Sequence, residues 1–180
     1  MIFFIIIFAV CFIVIAIFSF PQFSPIPYFP SNKKDLPLII RALALKNNQT
    51  VFDLGAGDGL VIFEAAKEAL RKKLNTRFVA VEINPVLICI LYLRRLFHPN
   101  KKNIRVMYGD MFSMDFKNML HVTSYMFYLY ISPWHLEKTL SNIKRQFKHF
   151  SVVSYMYEIP LLKPSKKIKG KKHDVFVYTI

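Results

Sequence analysis

The sequence predicts an α/β domain with a mostly parallel sheet, an antiparallel last strand and helices on both faces, preceded by one N-terminal transmembrane helix. Short β-branched and apolar runs alternate with helical patterns of about 10 to 15 residues from residue 50 onward. A glycine-rich turn follows the first of those runs, at 55–59. Residues 1–20 carry no charged side chain. These three observations indicate one anchored domain, because the remaining residues suffice for a single core.

Residues 1–20 are predicted to be an uncleaved membrane anchor. They contain no Lys, Arg, Asp or Glu, and a helix of that length spans about 30 Å, the thickness of the hydrocarbon core of a bilayer. A cleaved signal peptide would begin with basic residues and end in a small-x-small site, whereas this segment ends in FSFP at 18–21. Because Lys33 and Lys34 follow the span, the positive-inside rule places the domain on the cytoplasmic side of the membrane.

A linker and a helix connect this segment to the sheet. Residues 21–31 contain four prolines and no charge, which favours a stiff, extended chain. Ser31 or Asn32 is then expected to cap a helix that ends at 47–48. The apolar residues at helical spacing in that helix are Leu36, Ile39, Ile40 and Leu43.

Strands and helices alternate over the rest of the chain. The expected strands are 50–54, 77–82, 104–108, 124–131, 150–157 and 174–179. The expected helices are 59–73, 85–97 and 133–148, with an irregular stretch at 114–120. The connection at 158–173 shows no helical pattern, so the last strand is predicted to return antiparallel beside the fifth.

Three motifs fall where three of these strands end, and they read VFDLGAGDG at 51–59, VAVEINP at 79–85 and MYGDMF at 107–112. Ligands bind parallel sheets outside the carboxyl ends of the strands, at the topological switch point. Glycine permits positive φ and close approach of a ligand to the backbone, and the first amides of a helix face that ligand. The motifs therefore predict a site for a nucleoside cofactor.

The glycine motif departs from the nicotinamide-dinucleotide fingerprint. Leu60 stands where that fingerprint has its third glycine, and Asp53 would repel a pyrophosphate. An acid in that position suits a ligand that carries an ammonium and a sulfonium. A glycine-rich turn alone could also be an ordinary βα loop, but three motifs in register disfavour that interpretation.

DLGAGDG, VEINP and GDMF resemble the successive cofactor motifs of class I S-adenosylmethionine-dependent methyltransferases, which have a Rossmann-like fold. Over 26–180 the chain is similar to small membrane-anchored protein-lysine methyltransferases that modify the ATP synthase c-subunit or the adenine nucleotide translocase, and to their prokaryotic relatives. IPYFPS at 26–31, YLYISP at 128–133 and VVSYMYEIP at 152–160 extend this likeness. The six predicted strands form a clipped version of the seven-stranded sheet usual in such methyltransferases, and the resemblance places 27–31 at the rim of the active site.

S-adenosyl-L-methionine is thus the expected cofactor. Asp53 is expected near its ammonium, Glu82 on both ribose hydroxyls and Asp110 on the adenine amine. Asp58 is either a helix cap or part of the cofactor edge, and Asp110 could instead be only a turn residue. The predicted cofactor-binding residues are Asp53, Gly55, Ala56, Gly57, Glu82, Ile83, Asn84, Asp110 and Met111.

The acceptor side is predicted less directly. Methyl transfer from a sulfonium needs alignment and exclusion of water, and a lysine acceptor must first lose a proton, which an apolar site favours. Aromatic rings can hold the methylated cation, although core or membrane-interface packing is the alternative for each ring. The substrate-side candidates are Tyr28, Tyr130, Pro133 and Trp134, and no catalytic residue is assigned. Neither Asn/Asp-Pro-Pro-Tyr nor a cysteine stands at this site, which argues against adenine or glutamine acceptors and against covalent cytosine methylation.

The resemblance to the anchored lysine methyltransferases implies methylation of lysine in a protein substrate in or near the membrane. The alternatives are the same enzyme class with a lipid, small-molecule or RNA acceptor, and a non-catalytic, membrane-tethered basic scaffold. The net charge of +14 fits anionic lipid, RNA or mere compositional bias, and the Lys-rich run at 163–172 is either solvated or membrane-facing. The motifs favour a protein over a nucleic acid partner. Cysteine and histidine spacing predicts no disulfide and no metal site, and no oligomeric state is predicted.

Overall fold

The computed structural model describes residues 1–19, 28–116 and 124–180. Most of the predicted linker at 21–31, and residues 117–120 of the predicted irregular stretch, lie outside these ranges. The first helix, α1, spans Ile2–Ser19. Across the described ranges, no helix combines the length and the apolarity needed to cross a membrane, so the predicted transmembrane helix is not supported.

The described residues form one seven-stranded sheet, in which β1 lies between β2 and β4. Strands β1 to β5 run parallel, whereas β7 pairs antiparallel with β5 and with β6. The predicted mostly parallel sheet with an antiparallel last strand is therefore confirmed. The strands are β1 Gln49–Leu54, β2 Arg77–Glu82, β3 Ile104–Tyr108, β4 Ser124–Leu129, β5 Ser151–Tyr155, β6 Lys166–Ile168 and β7 Val175–Thr179, in the order β3-β2-β1-β4-β5-β7-β6.

Strand β6 corrects the prediction for 158–173, which contained no element, and it makes the sheet seven-stranded and not clipped. It has three residues, and Lys166 and Lys167 are both exposed. A short edge strand rich in lysine shows no apolar alternation, and charge on an edge blocks further pairing. The apolar pattern that predicts the other strands is therefore absent from residues 166–168.

The helices cover both faces of the sheet, as predicted. Helices α2, α3 and α4 pack on one face through residues such as Ile39, Ile62 and Leu91, and α5 packs on the other through Leu136 and Ile143. All six residues of β1 are buried, which is expected of a parallel strand covered on both faces. The helices are α2 Leu36–Ala42, α3 Leu60–Arg71, α4 Pro85–Phe97 and α5 Pro133–Gln146, with a 3-10 turn at Lys101–Asn103.

Helix α2 begins later than predicted, at Leu36, because the residues before it form a turn. The Asn32 side chain accepts from the Lys34 amide at 2.9 Å, so it does not cap the helix. The Asp35 carboxylate turns away from α2 and accepts from the backbone amides of residues 171–173 and, at 2.8 Å, from the Tyr155 hydroxyl. This clamp fastens the segment before α2 to the C-terminal edge of the sheet.

Candidate active site

A pocket lies over the carboxyl ends of the central strands, where the switch point of the sheet was expected. Its walls come from the loops after β1, β2, β3 and β4, and the segment 28–31 closes one side. The predicted residues that line it are Asp53, Gly55, Ala56, Gly57, Glu82, Ile83, Asp110, Met111, Tyr28 and Tyr130. The proline–aromatic segment thus forms part of the rim.

The loop between β1 and α3 presents bare backbone to this pocket. Gly55, Gly57 and Gly59 have φ of 80°, 59° and 79°, the left-handed region that favours glycine. The amides of Gly55 and Ala56 both donate to the Val81 carbonyl at 2.9 Å. A Cβ on Gly57 would lie 2.6 Å from the Tyr28 ring, so Tyr28 packs directly on the loop.

Glu82 ties the first two loops together. Its Oε2 accepts from the Gly57 amide at 2.8 Å, and its Oε1 accepts from the Ile83 and Asn84 amides, each at 2.9 Å. Glu82 is buried, and a carboxylate has about four acceptor sites. Three of these hold the loops in place, which leaves limited capacity for the ribose hydroxyls that it was predicted to bind.

Asp53 is a buried acid on the floor of the pocket. Among the described residues, none of the ion pairs involves Asp53. The pKa of Asp53 is raised to about 8, mainly by desolvation and to a smaller extent by repulsion from Glu82 and Asp58. A buried carboxyl without a cationic partner fits a positively charged ligand group, which would relieve both effects.

Asp58 lines the pocket, as one of its two predicted interpretations has it, but it is not the N-cap of α3, because that position belongs to Gly59. Its Oδ1 accepts from the Leu60 amide at 3.1 Å, in the first turn of α3. Its Oδ2 pairs with Arg94 Nη1 at 2.7 Å, and Arg94 also lies over the Phe63 ring. Sequence reasoning missed Arg94, because a lone arginine on α4 has no motif that links it to a loop 36 positions away.

Asp110 lines the pocket and also stabilises its own turn. Its Oδ1 accepts from the Phe112 amide at 2.9 Å, and the Ser113 hydroxyl donates to Oδ2 at 3.3 Å. The carbonyl of neighbouring Met111 accepts from the Asn142 side chain of α5 at 2.9 Å. Asp110 therefore makes the contacts of a turn residue, and it also lies at the pocket.

Asn84 does not line the pocket, although it was one of the predicted cofactor-binding residues. Its side-chain oxygen caps α4 by accepting from the Val86 and Leu87 amides at 2.9 and 3.3 Å. This position explains why Asn precedes Pro85, since a capping side chain followed by proline starts a helix efficiently. Asn84 consequently positions the loop that carries Glu82 and Ile83.

Hydroxyl groups on β4 and β5 hold the aromatic rim. Ser31 Oγ and the Tyr128 hydroxyl share a hydrogen bond of 2.8 Å, and Tyr130 packs edge-on against Tyr155 with centroids 4.9 Å apart. Tyr155 in turn donates to Asp35. Burial raises the pKa of Tyr130 and of Tyr28, so both phenols stay neutral at physiological pH.

Two substrate-side candidates lie outside the pocket. Pro133 begins α5, and Trp134 is 80% exposed. Neither residue lines the pocket, whose lining from this segment ends at Ile131. Trp134 is therefore a surface residue at the start of α5, while Tyr28 and Tyr130 reach the pocket.

The chain is similar in sequence to known methyltransferases. Residues 28–173 match the model of a family described as "Ribosomal RNA adenine dimethylase". The chain is 31% identical to a protein-lysine N-methyltransferase of Saccharolobus islandicus over 86% of this chain and 94% of that protein. It is 30% identical to a Caenorhabditis elegans lysine N-methyltransferase of the ATP synthase c-subunit, over 50% of this chain and 47% of that protein.

Solved structures show the same fold. An RNA methyltransferase from Salinibacter ruber, in complex with S-adenosyl-L-homocysteine, superposes with a TM-score of 0.69 at 21% identity and covers 84% of this chain and 94% of its own. A methyltransferase from Geobacter sulfurreducens with the same ligand gives a TM-score of 0.52 at 14% identity, over 83% of this chain and 58% of its own.

Proposed function

Because this chain belongs to the ribosomal RNA adenine dimethylase family and is a class I S-adenosylmethionine-dependent methyltransferase, we propose that it methylates lysine side chains of protein substrates. The observation that carries the proposal is the aromatic wall of the pocket, built from Tyr28, Phe29 and Tyr130. Residues 129–134, at the end of β4, read LYISPW and include no carboxamide or carboxylate side chain.

Residues already described would hold the cofactor. When bound, S-adenosylmethionine supplies a methyl group activated by a positively charged sulfur. Asp53 offers a buried carboxyl whose ionised form a cationic ligand would favour, and the glycine loop offers backbone that a ligand can approach closely. Glu82 keeps that loop in position through the Gly57 amide.

The aromatic wall suits an aliphatic amine better than a nucleobase amine. A lysine ammonium must become neutral before it can act as a nucleophile, and an apolar, partly desolvated site lowers its pKa. Tyr28 and Tyr130 supply ring faces that attract the methylated cation. The exocyclic amine of adenine is neutral already and needs hydrogen-bond acceptors to orient it, which residues 129–134 supply only through backbone and hydroxyl groups.

RNA is the second candidate acceptor, and the description of the family model favours it. The net charge of +14 would support binding to phosphate, with affinity that falls steeply as salt increases. Protein-lysine methylation is preferred because the curated relative that the chain covers almost entirely carries that name.

We also propose that the substrate lies in or near a membrane, with the catalytic domain on the cytoplasmic side. Helix α1 supports this, because it carries no charge and the side chains of residues 1–10 are exposed. Attachment to the same bilayer would raise the effective concentration of a membrane-bound substrate.

Transfer of a radiolabelled methyl group tests the acceptor. The full chain would be incubated with labelled cofactor and membrane protein, soluble protein or total RNA from the source cells, and the products hydrolysed for amino acid and nucleoside analysis. We expect label in methyl-lysine from membrane protein. Label that resists protease but is lost with ribonuclease would contradict the lysine proposal and favour RNA.

Two substitutions at one position test the aromatic wall. Tyr130→Ala removes the ring, so we expect methyl transfer to fall at least about tenfold while cofactor binding persists. Tyr130→Phe keeps the ring and should retain most of the activity. Equal losses in both variants would mean that the hydroxyl, and not the ring face, is required.

A further inference from the structure

The outward side of helix α4 is apolar. Its inward side packs on the sheet through Leu87, Ile88 and Leu91, which are buried. The exposed residues of the helix are also apolar, and they form what we call the α4 outer face: Cys89, Ile90, Tyr92, Leu93, Leu96 and Phe97. A surface helix normally carries polar residues on this side.

The exposure of this face is large. Leu93 is 59% exposed, Leu96 56% and Phe97 82%. Ile90, Leu93 and Phe97 are spaced by three and four residues, so they form one continuous stripe along the helix. Contiguous apolar stripes on a surface mark interaction sites, whereas single exposed apolar residues are ordinary.

In the segment that carries the stripe, residues 85–105, every charged side chain is positive. Residues 85–105 contain no Asp or Glu and five basic residues: Arg94, Arg95, Lys101, Lys102 and Arg105. Arg94 is paired with Asp58, and Arg95 and Lys101 donate to backbone carbonyls within the segment. Lys102 and Arg105 are exposed and follow the C-terminal end of the helix. An apolar stripe flanked by bases is typical of a helix that lies in a membrane interface.

The neighbouring helix has the same character. Helix α1 lies against α4, and it exposes apolar residues such as Phe8 at 73% and Phe12 at 65%. The two apolar surfaces are therefore adjacent. A second copy of the chain docked on this face would bring like charges together, whereas anionic headgroups would complement them.

We propose that the α4 outer face is a membrane-binding surface, which inserts into the boundary between the headgroups and acyl chains of an anionic bilayer. Helix α4 would lie in the plane of the membrane beside α1. The helix begins at Pro85, next to pocket residue Ile83, and is about 20 Å long. The pocket would thus open close to the headgroups, whichever acceptor it serves.

Cys89 provides a probe within the face. It is free and exposed, and the chain has only one other cysteine, Cys11 in α1. The full chain with Cys11→Ser would be labelled at Cys89 with a polarity-sensitive fluorophore and mixed with vesicles of phosphatidylcholine and phosphatidylglycerol. We expect emission to shift to shorter wavelength, with roughly threefold weaker quenching by iodide and strong quenching by brominated lipid.

A label on the opposite side of the molecule is the control. Ser141 is exposed on α5, which covers the other face of the sheet, so Ser141→Cys in a background without Cys11 and Cys89 should keep its label in water. If the Cys89 label also stays in water while the protein sits on the vesicles, the proposal is overturned. It is equally overturned by a shift that needs no vesicles and grows with protein concentration, because that would indicate a second copy of the chain.

Charge substitutions complete the test. Leu93→Glu with Phe97→Glu should return the Cys89 label to water on anionic vesicles, because two carboxylates oppose both insertion and the anionic surface. These side chains are exposed, so the fold should tolerate the change. Leu161→Glu, at a loop residue that is 99% exposed, should leave the shift intact. Loss of the shift in both variants would contradict a specific role for the face.

Discussion

Asp53 couples the charge of the pocket to ligand binding. Because burial raises its pKa to about 8, this carboxyl is largely protonated at neutral pH in the ligand-free protein. A cationic ligand favours the ionised form, so binding should release a proton. Affinity for S-adenosylmethionine should therefore rise as the pH approaches about 8 and level off above that value.

Calorimetry across this pH range, in buffers with different ionisation enthalpies, would measure the affinity and the proton release together. Asp53→Asn is uncharged at every pH, so it should bind more weakly and without the pH dependence. A wild-type affinity that stays constant from pH 6 to pH 9 would contradict the proposed role of Asp53.

Glu82 is expected to matter for stability as well as for binding. Glu82→Gln replaces one acceptor oxygen by an amide donor that faces backbone N–H groups, so at least one of the three hydrogen bonds is lost. We expect the free energy of unfolding to fall by about 2 kcal/mol, and the micromolar affinity expected for S-adenosylmethionine to weaken at least about tenfold.

Chemical denaturation and calorimetry would measure these two changes. Glu158→Gln is the matched control, because Glu158 makes an exposed ion pair with Lys167, and such pairs contribute about 0 to 1 kcal/mol. Equal losses of stability in the two variants would mean that Glu82 does not brace the loops.

Helix α2 depends on a clamp that the distant C-terminal segment completes. Asp35 is 1% exposed and accepts from three backbone amides and from Tyr155. Desolvation alone would raise the pKa of Asp35, but these hydrogen bonds, led by that from His173, outweigh it and lower the pKa. The ionised form is thus the one that the fold stabilises.

Asp35→Asn should accordingly destabilise the protein by about 2 to 4 kcal/mol at neutral pH, because an amide cannot accept all four bonds. The contribution of Asp35 should be present above its ordinary pKa of 3.8 and should disappear as the pH falls through the lowered pKa. Denaturant unfolding would measure it, with Asp174→Asn in a surface ion pair as the control. If the two variants unfold alike, Asp35 is not a clamp.

The free energy of unfolding of the ligand-free protein should depend on pH through the ionisation of Asp53. Its folded-state pKa of about 8 lies above its ordinary value of 3.8, so the folded state binds more protons than the unfolded state between these values. The contribution of Asp53 is then fully present below pH 3.8 and declines as the pH rises toward about 8, by at most about 1.4 kcal/mol per pH unit.

Thermal unfolding of wild type and Asp53→Asn from pH 5 to pH 9 would reveal this slope as a difference between two curves. Wild type should lose stability relative to the variant up to about pH 8, and the difference should then become constant. Parallel curves over the whole range would show that Asp53 is ionised in both states.

Local patterns predicted much of the site. The glycines at 55–59 and the acids Asp53 and Glu82 occupy strand ends, and the parallel topology brings those ends together. Contacts between distant segments were not predicted: the Arg94 pair with Asp58, the Ser31 bond to Tyr128 and the Asp35 clamp join residues 36, 97 and up to 138 positions apart. A single sequence carries no periodic signal for such pairs.

The order of apolar, glycine and acidic residues along the chain was enough to predict the parallel sheet, a pocket at the carboxyl ends of its strands and the class of cofactor, because those features follow from backbone rules that act over a few residues. Tertiary packing decided that Asp53 is buried outside any of the described ion pairs, that Glu82 braces two loops, and that Trp134 faces solvent while Tyr130 faces the pocket. Those outcomes depend on desolvation and on contacts between segments far apart in the chain, which exist only after the sheet has assembled.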